Sequence, residues 1–136
     1  MDKIVPTNTE AIFKGKVAIS QTNLKGEFIF VNRKFCEISG YSTQELINYN
    51  YDIIKHPDVP QIIFNKMDSA LKSGQVWNGV LKNLCKDGRY YWVDMEIIPV
   101  RDDDNEITGY MSVSKPTPRK NIADIEKIYK QQNNEK

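Results

Sequence analysis

The sequence predicts an α+β domain: one five-stranded antiparallel sheet with short helices packed on one face. Three observations predict it. Two β-rich runs near the start, VAISQT and EFIFVN, flank the turn NLKG. The middle of the chain, from Arg33 to Ser73, carries helical spacing and helix-cap residues instead of alternation. Three more β-rich runs then fill residues 76 to 114, with turn signals between them. The order ββ, helices, βββ is satisfied by helices lying across one sheet face, with a pocket between the two layers.

Residues 1–15 are polar and weakly patterned, and read as an N-terminal arm or cap. The main body is expected over 16–115, and a C-terminal amphipathic helix over 116–136. The glycine turn between the first two runs reads as a hairpin. Asn32 ends the second run and is a good helix N-cap, with Phe35 and Ile38 one helical face apart. Ser42 and Glu45 make the capping-box pattern S-T-Q-E ahead of Leu46 and Ile47. NYNYDIIKHPD is irregular or a single turn, because Pro57 restricts the residue before it. Asp58 is positioned to cap the next helix, expected over 59–73 with Ile63, Phe64, Met67, Ala70 and Leu71 inward and Gly74 as its stop.

Strands are then expected over 76–85, 90–100 and 107–114. Lys86-Asp87-Gly88-Arg89 joins the first two through a strong hairpin signal. Asp102-Asp103-Asp104-Asn105 joins the last two. It lacks the alternation and closing glutamate of a calcium loop, so it reads as a solvated turn. After Pro116 and Pro118, Ile122, Ile125, Ile128 and Tyr129 form an apolar stripe. A lone amphipathic helix is marginal in water, so this stripe must find a surface.

The chain of 136 residues suits one domain, and its formal net charge of +1 leaves no electrostatic footprint for nucleic acid. Cys36 and Cys85, the two cysteines, form no C-x-x-C pair and read as reduced structural thiols in a cytoplasmic protein. No apolar run is long enough to cross a bilayer, so membrane association is expected only through a partner. No nucleophile elbow, phosphate loop or dinucleotide fingerprint occurs, and the carboxylates fall mostly in turns. The expectation is a binding protein and not an enzyme. His56 is the only histidine, which excludes a multi-histidine metal site.

Alternation puts Trp77, Gly79, Leu81 and Asn83 on one strand face. Such a face suits a flat polar ring: Trp77 stacks, Gly79 leaves room and Asn83 hydrogen-bonds a heteroatom. It equally suits a core in which Trp77 is buried and Asn83 is an edge polar group, and the residues alone leave both open. Tyr91, Val93, Met95 and Ile97 form the core or pocket face of the next strand. Trp92 and Asp94 take the other face, where a terminal helix or a partner would dock.

The segments IIKHPDVPQIIF, SGQVWNGVLKNLCKDGRYYWVD and ITGYMSVSKPTPRK carry a resemblance. The element order is similar to a PAS domain. The motifs resemble the PAS domain of Aer-type aerotaxis and energy-taxis receptors, from about Thr9 to Lys120. That resemblance implies noncovalent FAD and redox or oxygen signalling to a transmembrane chemoreceptor. It assigns cofactor-proximal roles to Lys55, His56, Asp58, Trp77, Asn83 and Asn32. Lys55 stands where the family usually has arginine, which keeps the charge but loses the bidentate fork. Some chemotaxis PAS domains bind b-type haem, and His56 is the only imidazole available as an axial ligand. A cofactor-free PAS interaction module, pairing as a homodimer through its sheet and flanking helices, is the alternative of a different class. Light sensing through a flavin–cysteine adduct is disfavoured, because no asparagine-cysteine-arginine motif occurs near residues 52 to 56.

Overall fold

The computed structural model describes residues 3–134. Its elements are β1 (Ala18–Asn23), β2 (Phe28–Val31), α1 (Arg33–Ser39), α2 (Thr43–Leu46), a 3-10 turn (Tyr51–Ile54), α3 (Gln61–Lys72), β3 (Trp77–Leu84), β4 (Tyr90–Arg101), β5 (Ile107–Lys115) and α4 (Arg119–Asn134). The five strands form one sheet in the order β2-β1-β5-β4-β3, with every neighbouring pair antiparallel. β2 and β3 are consecutive strands but lie at opposite edges. The segment between them must therefore cross the whole sheet, and this crossing makes the helical layer.

The local chemistry of that layer follows the sequence closely. The Asn32 side chain accepts the backbone N–H of Phe35 at 3.0 Å, and Ser42 with Glu45 makes a full capping box. Gly74 has φ 82, a left-handed conformation that costs glycine little, and α3 stops just before it. Phe35, Ile38, Leu46, Ile54, Phe64, Met67 and Leu71 are buried against the sheet. Tyr91, Val93, Met95, Ile97 and Leu81 meet them from β4 and β3.

One cap differs from the expectation. Pro60, not Asp58, stands at the α3 N-cap, and no side chain closes that end. The Asp58 carboxylate instead pairs with Lys82 Nζ at 2.8 Å. An ion pair with a mostly covered lysine outcompetes an exposed N-cap at this turn.

The described part of the N-terminal arm packs against the domain. Thr7 N–H donates to Gly88 at 2.8 Å and Ala11 N–H to Tyr90 at 2.7 Å, while Ala11 and Phe13 are buried. α4 lies on the opposite, outer sheet face, over β3 and β4. Trp92 and Tyr129 stack with ring centroids 5.8 Å apart, and Tyr129 Oη donates to the Val80 carbonyl at 3.3 Å. Ile122 and Tyr129 are buried and Ile125 is half-buried, but Ile128 stays exposed, so the docked stripe is narrower than the sequence suggests. Arg119 holds Glu10 through two hydrogen bonds of 2.8 and 2.7 Å, tying the start of α4 to the arm. Among the described residues, no helix is long and apolar enough to cross a membrane.

Candidate functional site

A cleft of about 380 Å³ opens between the sheet and the helical layer. The sequence explains its location. Facing inward on β1 and β5 are Ser20, Thr22 and Ser112, where the β4 half of the sheet has valine, methionine and isoleucine. Small hydroxyl residues at core positions leave volume that neighbouring side chains do not fill. Met67 and Leu71 of α3, Tyr51 of the 3-10 turn, Ile97 and Tyr110 supply apolar and aromatic walls. Exposed Lys25 and Lys72 border the cleft together with Asp52, Asp68 and Lys55.

The Ser20 hydroxyl is buried and has no hydrogen-bond partner. A buried, unpaired hydroxyl costs roughly 1–3 kcal/mol, so it marks a position that a ligand heteroatom would satisfy. Tyr51 Oη faces Met95 Sδ at 3.7 Å. Burial pushes the Tyr51 phenol well above its ordinary pKa, so it stays a neutral donor.

Four of the six residues singled out by resemblance meet at one place. The Lys55 backbone forms an isolated bridge with Asn83, which joins the end of the 3-10 turn to edge strand β3. Lys55 Nζ pairs with Asp52 at 2.7 Å and lies 4.5 Å from the Phe64 ring centroid. His56 is 3% exposed, and its Nδ1 accepts the Asp58 backbone N–H at 3.0 Å. That acceptor role puts the proton of the neutral imidazole on Nε2. Burial, and secondarily the Lys82 charge, push His56 down to about 4, against a weaker upward pull from Asp58. The Lys82 hydrogen bond holds the Asp58 carboxyl below its ordinary range. Asn83 is buried beside Tyr91, its cross-strand neighbour.

Of this group only Lys55 borders the cleft; His56, Asp58 and Asn83 lie behind it. His56, the axial ligand of the haem alternative, does not line this cleft and borders a separate groove instead. Among the described residues, no group of three or more His, Cys, Asp or Glu is arranged to hold a metal. Trp77 is half-buried, and its indole folds back over Gly79, in contact with the place a Cβ would occupy. The room expected at Gly79 is thus filled by Trp77 itself. Asn32 sits apart from the cleft. Its Oδ1 accepts the N–H groups of Phe35 and Ile19, both at 3.0 Å, and its Nδ2 donates to Val17. Sequence reasoning missed Ser20, Thr22, Ser112, Tyr51 and Tyr110. The available signal was Ala18-x-Ser20-x-Thr22, an alternation whose inward face is small and partly polar.

The sequence matches the PAS fold over residues 28–114, from β2 almost to the end of β5. The chain belongs to the PAS family. It is 36% identical over 112 residues to the aerotaxis receptor of Escherichia coli (strain K12), covering 82% of this chain and 22% of that protein. It is 33% identical over 102 residues to a nitrogen fixation regulatory protein of Klebsiella oxytoca, covering 75% of this chain and 21% of that protein. The chain thus spans about a fifth of the length of these curated relatives. In fold it is similar to the dark structure of the blue-light photoreceptor Aureochrome1 LOV, at a TM-score of 0.71 and 20% identity over 86% of this chain and 84% of that one. The order β2-β1-β5-β4-β3, with its helical crossing, is therefore the PAS core, and α4 is a helix flanking it.

Proposed function

We propose that this PAS domain is a sensor that binds FAD noncovalently in the inner cleft and reports redox or oxygen status to a chemoreceptor. One observation carries the reading: an inward-facing cleft with aromatic and aliphatic walls holds a buried hydroxyl, Ser20 Oγ, with no partner of its own. The cleft volume lies at the small end of ligand pockets, which fits a planar ring system with the rest of the molecule leaving past Lys25 and Lys72. The resemblance to Aer-type PAS domains and the 36% identity to an aerotaxis receptor support FAD and energy taxis. A bound flavin would supply reversible uptake of electrons and protons.

The residues of the chain then do four things. Tyr51, Met67, Leu71 and Ile97 exclude water from the ring. Ser20 and Ser112 offer hydroxyls that accept or donate as the ring changes protonation. Lys55 answers a change of charge in the cleft, because its partner Asp52 borders the same space. Its backbone bridge to Asn83 then passes the change to β3.

The read-out on this account is α4. It is fixed to the outer face by Trp92 and Tyr129. Its last turn reaches the cofactor-side turn directly, where Asn133 Nδ2 donates to the Asp58 carbonyl at 3.1 Å. A two-state shift of α4, docked or released, would carry the signal to a partner. The reading requires no substrate turnover. The test is the absorption spectrum of protein from a host supplied with iron and riboflavin, with the released pigment identified by chromatography. A flavin spectrum with FAD as the pigment is expected. A Soret band that vanishes in His56→Ala would overturn the reading. So would colourless protein that FAD does not stabilise, the outcome expected of a cofactor-free module.

A further inference from the structure

A second cavity lies on the far side of Lys55 from the cleft. It is a groove of about 730 Å³ beneath the N-terminal arm, with Ile4 and Pro6 on the arm side and Ile53, Val59, Phe64 and Leu84 on the domain side. His56 lines it, is 3% exposed, and has an Nε2 with no hydrogen-bond partner. Because Nδ1 is committed to the Asp58 backbone, Nε2 carries the proton and needs an acceptor. Lys3, Lys55 and Asp52 border the same groove. Asp52 offsets Lys55, leaving Lys3 as an excess positive charge that forms no ion pair among the described residues.

We infer that this groove is a second ligand site, separate from the inner cleft, for an apolar molecule carrying one carboxylate. The apolar body is matched to the aliphatic and phenyl walls. The carboxylate oxygens are matched to the His56 Nε2–H and to the single excess cation. A dicarboxylate or a phosphate would bring more charge than the groove balances. A neutral hydrocarbon would leave His56 Nε2 unpaired. Among the described residues, the arm is held by backbone bonds at Thr7, Thr9 and Ala11 and by the Glu10–Arg119 ion pair, all on the C-terminal side of Ile4 and Pro6, which suits entry of a flexible chain beneath residues 3–6.

The probe is decanoate, with decanol as its uncharged counterpart, titrated calorimetrically into flavin-free protein. Saturable decanoate binding is expected, with decanol several-fold weaker. His56→Asn removes the Nε2 donor yet keeps an acceptor for the Asp58 N–H, because an Asx side chain reaches the backbone two residues on. It should weaken decanoate about fivefold to tenfold, the value of one good hydrogen bond. In the unmodified protein, the His56 Nε2 nitrogen resonance should move on saturation, a readout that does not depend on the variant's folding. Equal affinity for decanoate and decanol, or a His56 resonance that stays in place, overturns the inference. Flavin-free protein makes this result independent of the FAD reading: either can fail alone.

Discussion

The two faces of the sheet solve the same problem in opposite ways. Over β3 and β4 the outer face presents Trp92, and α4 answers with Tyr129, so two large rings fill the contact. Over β1 and β5 the inner face presents Ser20, Thr22 and Ser112, and the helices do not close the space above them. A filled contact contributes stability and a fixed geometry. An unfilled one gives up stability for room, and its unpaired hydroxyl is a feature that a finished core would avoid. On the proposed function, the outer contact fixes α4 in its docked state and the inner cleft is where a ligand would act.

The largest expected effect breaks the filled side. Tyr129→Ala removes a nearly buried ring, its stack on Trp92 and its hydrogen bond to Val80, and should cost roughly 3 kcal/mol. Denaturant melts would show the loss. Hydrogen exchange would show it concentrated in α4, with the inner core strands protected. Uniform loss of protection would mean that α4 and the core are one cooperative unit, with no releasable read-out.

A comparable effect tests the seam between the faces, where His56 sits among Asp58, Lys82 and Tyr90. The folded pKa of His56 is lowered to about 4 from 6.5, so the fold favours the neutral ring. The stability this contributes is complete above pH 6.5 and is lost as pH falls toward 4. A shift of this size is worth up to about 3 kcal/mol. His56→Asn should flatten stability over that window. A slope unchanged by the substitution would place the titration elsewhere.

The smallest effect sharpens the inner side. Ser20→Ala removes the unpaired hydroxyl and should leave the free protein unchanged or more stable by up to about 1 kcal/mol. The same change should weaken FAD about fivefold. Melting curves with and without FAD separate the two. A variant less stable in both states would mean that Ser20 serves the fold.

These contrasts also explain what the sequence made legible. The Asn32 cap, the Ser42–Glu45 capping box and the outward Trp92 are local or follow from alternation, and each appears where its pattern put it. The 55–58 turn was legible as a unit through its motif. The partner of Asp58 was not, because Lys82 is 24 residues away and is reached only through the register of β3. The cleft lining was hidden for a similar reason. β1 and β5 are the first and last strands, and only the sheet order brings Ser20 opposite Ser112. At Trp77 the alternation was right, but the direction of the indole, back across Gly79, is a packing outcome that no local pattern encodes.

The most direct test fills the cleft. Ser20→Leu places an aliphatic side chain in a space of about 380 Å³ that can hold it without displacing the core. Equilibrium titration with FAD should show binding to the unmodified chain. It should show none to the variant, whose melting curve and α4 protection remain intact. FAD binding of equal strength in both, or in neither, would contradict the claim that this cleft is the sensor's ligand site.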